Sequence, residues 1–282
     1  MPDAPLFQSA LSRLPGLLRR HAVFPATAFP ALLLAAALLF PAPAPASPAL
    51  TALTSSAGTE STAEAQVFAP LEGLRLPTPA SFAELSPENA LFRESAEHAV
   101  RRGRLLRLWL PRHMAKQYHG GSPDAVTRQV LLCALEGQIR PLNSKDAELL
   151  ARSAEGQFMG FSRIPRSHTD TPAQEEQNRS DALQNSLATG TPLLVDSLRT
   201  SSAYLHTCLL HFAMGEKKDK VFLPCAMASA VVPVKDTVLF LTVTSLLGQD
   251  EAEPHLEWVK ETASAFADAI AKANREGKKG KP

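Results

Sequence analysis

The clearest periodicity lies near the C-terminus. Leu256, Val259, Ala263, Phe266, Ala267 and Ile270 recur at helical spacing and form one apolar stripe. Acidic residues from Asp250 to Glu253, with Pro254 just inside, mark the start of that helix. Before it come three strand-like stretches, Leu198–Met214, Lys220–Val232 and Val238–Leu246, separated by the turn residues Gly215–Lys218 and Pro233–Asp236. This pattern predicts a three-stranded meander. Pro224 has no N–H to donate, so the middle strand is expected to bulge or lose its pairing there.

Earlier segments read less sharply. Ser86-Pro87-Glu88 has the marks of a helix start, and Gly103 would end that helix. Leu105, Leu106, Leu108, Trp109 and Leu110 then predict a short strand stopped by Pro111. Ser122-Pro123-Asp124 repeats the start signal, and Val126, Val130, Cys133 and Ala134 share a helical face widened by Leu131, Leu132 and Leu135. Asn143–Ala154 predicts another helix, and Gln157–Ile164 a weak strand. Residues 165–192 are polar. They are expected to form a long loop with a short helical stretch at Asp181–Leu187, either a disordered excursion or a lid or partner loop. Strands grouped late, with helices around them, predict an α+β fold: an antiparallel sheet covered by helices, the long C-terminal one among them.

The N-terminus adds an address. Arg13, Arg19 and Arg20 precede an uninterrupted apolar run, Ala31–Phe40, and Ala44-Pro45-Ala46 supplies small residues for cleavage. Residues 1–46 therefore predict a secretory signal peptide. The run is ten residues long, about half the ~20 that span a bilayer. An uncleaved inner-membrane anchor is the alternative. Residues 47–80, rich in Ala, Ser, Thr and Pro, predict a disordered linker. A single domain is expected over 81–274, and residues 275–282 form a basic tail. The expected location is exported, periplasmic or extracellular.

Composition narrows the function classes. Lys+Arg total 29 and Asp+Glu 28, a net +1, which argues against a nucleic-acid partner. The tail residues Arg275, Lys278, Lys279 and Lys281 leave room only for weak contact with an anionic membrane surface. His119-Gly120-Gly121-Ser122 resembles an oxyanion stretch of lipases, yet the matching Gly-x-Ser-x-Gly elbow is missing; Ser162 in Gly160-Phe161-Ser162-Arg163-Ile164 lacks the final glycine. His206 and His211, five apart on a predicted strand, point to opposite faces. The acids Asp250, Glu251, Glu253 and Glu257 sit where helix-start acids belong. Neither a catalytic set, a metal site nor a cofactor is expected.

The cysteines carry one sharper expectation. With a four-residue loop at Gly215–Lys218, Cys208 and Cys225 would stand directly opposed across a hairpin. Opposed Cβ atoms lie about 4.5–5.5 Å apart, close to what a disulfide needs. They are a disulfide candidate in an oxidising compartment; three buried inert thiols are the alternative.

Val238–Leu246 leading through Gly248 and Asp250 into the Leu256–Asn274 helix, with Leu105–Pro111 ahead of the middle helices, resembles the PsbP/DcrB-like α-β-α sandwich proteins. That resemblance implies a secreted bacterial accessory protein poor in cofactors, and it transfers no functional residue. The expected function is a binding or accessory domain, with another envelope protein as the partner class. The alternatives are an envelope enzyme of hydrolase type, assembled from His113, His119, Asp124 and Ser162, and a membrane-anchored structural protein.

Overall fold

The computed structural model describes residues 71–99, 103–119, 126–135, 138, 140–156, 158–165, 167, 169–214, 221–248 and 251–275. The signal segment, most of the expected linker and the basic tail lie outside them. Among the described residues no helix is long and apolar enough to cross a membrane.

The fold is α+β. Eight strands form one sheet: β1 (Phe82–Glu84), β2 (Gly103–Pro111), β3 (Arg128–Leu135), β4 (Ser162–Arg163), β5 (Leu193–Arg199), β6 (Tyr204–Met214), β7 (Val221–Val234) and β8 (Thr237–Leu246). Their order is β1-β2-β3-β8-β7-β6-β5-β4. Every neighbouring pair is antiparallel except the edge pair β4–β5, so the sheet is mixed. Among the described residues five helices surround it: α1 (Ala90–Ala99), α2 (Arg112–His119), α3 (Ser144–Gly156), α4 (Pro172–Thr189) and α5 (Ala252–Arg275).

Helix α5 carries the predicted stripe, and all six stripe residues are at most 1% exposed. They lie on Ala226, Ala228 and Ala230 of β7 and on Leu239, Leu241 and Val243 of β8. Small side chains along β7 let the helix approach the sheet closely. Phe266 reaches sideways to the rings of Phe82 and Trp109, with centroids 4.9 and 5.0 Å away. The opposite sheet face is covered in patches. Helices α1 and α2 cover Leu108, Leu110 and Leu131; α3 covers Val231 and Val238; Phe158 covers Leu194, Cys208 and Met227.

Several expectations are corrected. Residues 126–135 are not helical: Arg128–Leu135 forms β3, an inner strand between β2 and β8. Its continuous apolar run reflects burial on both faces, and such a run mimics a buried helix. The polar stretch 165–192 contains the 18-residue helix α4 rather than a loop. Thr171 and Gln174 form a capping box at its start, Pro172 occupies the first turn, and Gly190 closes it at φ 71°. Leu198–Met214 is two strands divided by a turn at Thr200–Ala203, so the meander has four strands. Pro224 interrupts nothing. It pairs with His211, and its carbonyl accepts from Leu247 N on the side where β8 has ended, so the missing N–H breaks no ladder bond. Helix α1 starts after Asn89, whose side chain accepts from Leu91 N, and Gly103 opens β2 instead of ending a helix. A Cβ at Gly103 would lie 2.4 Å from the Ala134 carbonyl oxygen, so only glycine fits that crossing.

The end of the expected linker is held in place. Asn274 on α5 bonds both backbone groups of Arg75, at 3.0 and 2.8 Å, and Trp109 Nε1 donates to Thr78 Oγ1.

Helix α3 shows how charge stabilises an element. Asn143 caps its first turn, and Asp146 returns a bond to Asn143 N while holding Arg140 through two hydrogen bonds of 2.8 and 2.9 Å. The Arg140 hydrogen bonds, then the Asn143 amide, lower the Asp146 pKa below the usual carboxylate value. A depressed acid stabilises the fold above its unfolded pKa and loses that contribution as pH falls through the folded value. Asp146→Ala is therefore expected to cost about 1 kcal/mol near neutral pH. The difference from wild type shrinks as the pH drops below 3.8, the ordinary aspartate value. Urea denaturation of both proteins across this range measures it.

Candidate functional site

The sheet separates most residues singled out in the sequence. His113 and His119 are exposed on α2, beside β2 near one edge, and Ser162 is exposed in β4 at the other. Six strand spacings lie between β2 and β4, about 29 Å at ~4.8 Å each. Asp124 and Asp250 fall outside the described residues. Glu251, Glu253 and Glu257 are exposed at the start of α5. Among the described residues no group of three or more His, Cys, Asp or Glu side chains is placed to hold a metal.

His206 and His211 do face opposite sides of β6. His206 Nδ1 is 3.0 Å from Ser197 Oγ, its ring packs 5.1 Å from Phe158, and Nε2 is buried with no partner among the described residues. Burial lowers its pKa, with Glu155 opposing. This resembles half of a nucleophile–base pair. Catalysis would also need a group orienting the free nitrogen and donors for an oxyanion, and Nε2 has no hydrogen-bond partner among the described residues. A second pair, Ser245 Oγ to His255 Nδ1 at 2.8 Å, is buried under α5 and tied to Arg128, whose guanidinium stacks 4.6 Å from Trp258. It serves as a polar anchor between β3, β8 and α5.

The disulfide register is also corrected. Met214 pairs with Val221, leaving six residues, 215–220, between the strands instead of four. Cys208 therefore opposes Met227, and Cys225 opposes Leu210. The two cysteines share a sheet face as diagonal neighbours, about 7–8 Å apart by such geometry, and both are free thiols, as is Cys133. Burial pushes the thiols of Cys133 and Cys225 up to about 12 and raises that of Cys208 as well.

Among the described residues lies an open cleft that the sequence does not announce. It lies between the flank of α5 facing β5 and β6, those two strands, and α4, and it encloses about 490 Å³. Val195, Leu198, Leu205 and Leu256 give it an apolar floor, and Thr207 adds a hydroxyl. Thr207 is only 2% exposed, and its Oγ1 has no hydrogen-bond partner among the described residues. A β-bulge between Leu194 and Asp196 turns both Val195 and Asp196 into the cleft. The rim is ionic. Lys260 Nζ lies 2.6 Å from Asp196 Oδ2, and Arg179 on α4 binds Glu253 on α5 through both carboxylate oxygens. The Glu253 hydrogen bond raises the Arg179 pKa further. Glu257, Glu261 and Ser264 complete the α5 wall. A pocket of this size, with an apolar floor beneath a polar and charged rim, suits a small ligand.

No family model, no curated protein and no solved structure matches this chain.

Burial of the thiols has a direct readout. Iodoacetamide applied to the native protein at mildly alkaline pH is expected to leave Cys208 and Cys225 unmodified and to label half-buried Cys133 only slowly. The unfolded, unreduced protein takes up three labels. Mass spectrometry counts them, and a single label after unfolding would show a disulfide.

Proposed function

We propose that this chain is an exported binding module that holds a small, partly apolar ligand in the cleft between α4, α5 and the β5–β6 pair. The observation that carries the reading is the apolar floor beneath an ionic rim, with an unpartnered hydroxyl buried at its base. Polar groups at the rim orient a ligand, and the apolar floor supplies contact area. Support also comes from what the sheet keeps apart. His113 and Ser162, the residues an enzyme reading would need together, lie near opposite edges. Export is supported by the order of basic, apolar and small residues in the first 46 positions. The PsbP/DcrB-like resemblance points to the same class of accessory protein, and the reading does not depend on it.

The neutral dye N-phenyl-1-naphthylamine, which brightens in apolar cavities, tests the cleft. Saturable binding at one site is expected. Leu198 is 39% exposed, so Leu198→Trp fills the cleft from its open side without disturbing the core and should abolish the signal. Unchanged dye binding in that variant, with an unchanged unfolding midpoint, refutes the reading.

Export is tested separately. N-terminal sequencing of the protein from the exported fraction is expected to begin at Ser47. A start near Met1 would establish the anchored alternative.

A further inference from the structure

The cleft's charges are unequally satisfied. Among the described residues its lining holds two cations, Arg179 and Lys260, against four acids, Asp196, Glu253, Glu257 and Glu261. Both cations are already engaged, Arg179 with Glu253 and Lys260 with Asp196. Glu257 and Glu261 remain one helical turn apart on the same wall of α5, with no hydrogen bond or ion pair among the described residues. Like charges at this spacing repel, and a cation placed between them relieves the repulsion. A separate observation marks the floor. Thr207 lines the cleft, and its Oγ1 is buried with no hydrogen-bond partner among the described residues.

We infer that the ligand is a small amphipathic amine. Its protonated amino group sits between the Glu257 and Glu261 carboxylates, its hydrocarbon body lies on Val195, Leu198, Leu205 and Leu256, and a second polar atom at the far end of the body reaches Thr207 Oγ1. This inference rests on the cleft being the binding site. A carboxylate or phosphate ligand would meet two unpaired like charges at the same wall. A purely apolar ligand would leave the Thr207 hydroxyl without a partner.

Three eight-carbon probes separate these cases in calorimetric titrations at low ionic strength: octylamine, octanoate and 8-aminooctan-1-ol. Exposed ion pairs are individually weak, so octylamine is expected to bind about tenfold tighter than octanoate. Glu257→Gln combined with Glu261→Gln should remove that preference. Both positions are exposed, so the fold is unaffected. The amino alcohol should bind tighter than octylamine, and Thr207→Val, which preserves the side chain's shape, should make the two equal. Octanoate binding as tightly as octylamine, or a preference that survives in the double variant, overturns the amine assignment while leaving the cleft reading intact. If Leu198→Trp blocks none of the three probes, the cleft reading itself fails.

Discussion

The packing of α5 against the middle of the sheet is the contact on which everything else depends. Ala226, Ala228 and Ala230 form a shallow trough, and Val259, Ala263, Phe266 and Ile270 fill it with essentially no exposure. Each large apolar side chain buried there contributes about 1.5–3 kcal/mol. Both ends of the helix are pinned. His255 bonds Ser245 at the end of β8, while Asn274 grips Arg75 at the other end. A helix tied at both ends and packed along its length serves as a rigid wall.

The cleft follows from that placement. The helix lies over β7 and β8, so its two flanks overhang different halves of the sheet. On one flank Trp258 and Phe266 meet Phe82, Trp109 and Arg128, and the space is filled with rings. On the other flank the α5 residues are Glu257, Lys260, Glu261 and Ser264, which are short or charged. No aromatic side chain among the described residues lines the cleft above β5 and β6, where the bulge at Val195 sets both Val195 and Asp196 on its wall. The same helix therefore builds a solid core on one side and a half-open site on the other.

What the sequence made legible tracks how far each signal depends on distant partners. The α5 stripe is a local periodicity, and the structure buries it as read. Strand β3 was misread because Val130–Leu135 is apolar at every position, and only its neighbours β2 and β8 decide between strand and helix. Helix α4 has weak apolar periodicity, burying only Leu183 and Ser186, although its Thr171-Pro172-x-Gln174 start was readable as a capping box. The hairpin register went astray by two residues because loop length sets it, and a six-residue loop leaves no sharper mark than a four-residue one. The cleft was invisible for a deeper reason. Asp196, Thr207 and Lys260 look ordinary one by one and become a site only after β5, β6 and α5 assemble.

The two helical walls of the cleft differ in how firmly they are held, and this bears on how a ligand would enter. Wall α5 belongs to the main core and cannot move without breaking it. Wall α4 has 18 residues, of which Leu183 and Ser186 are buried, and its hold on α5 includes the Arg179–Glu253 ion pair. A segment with so little buried apolar surface opens at lower free energy than the core around it. The Arg179–Glu253 pair joins that less buried helix to the cleft's α5 wall. The apolar floor and the Thr207 hydroxyl stay fixed on β5, β6 and α5 whatever α4 does. The floor and the α4 side of the cleft thus belong to elements of unequal stability.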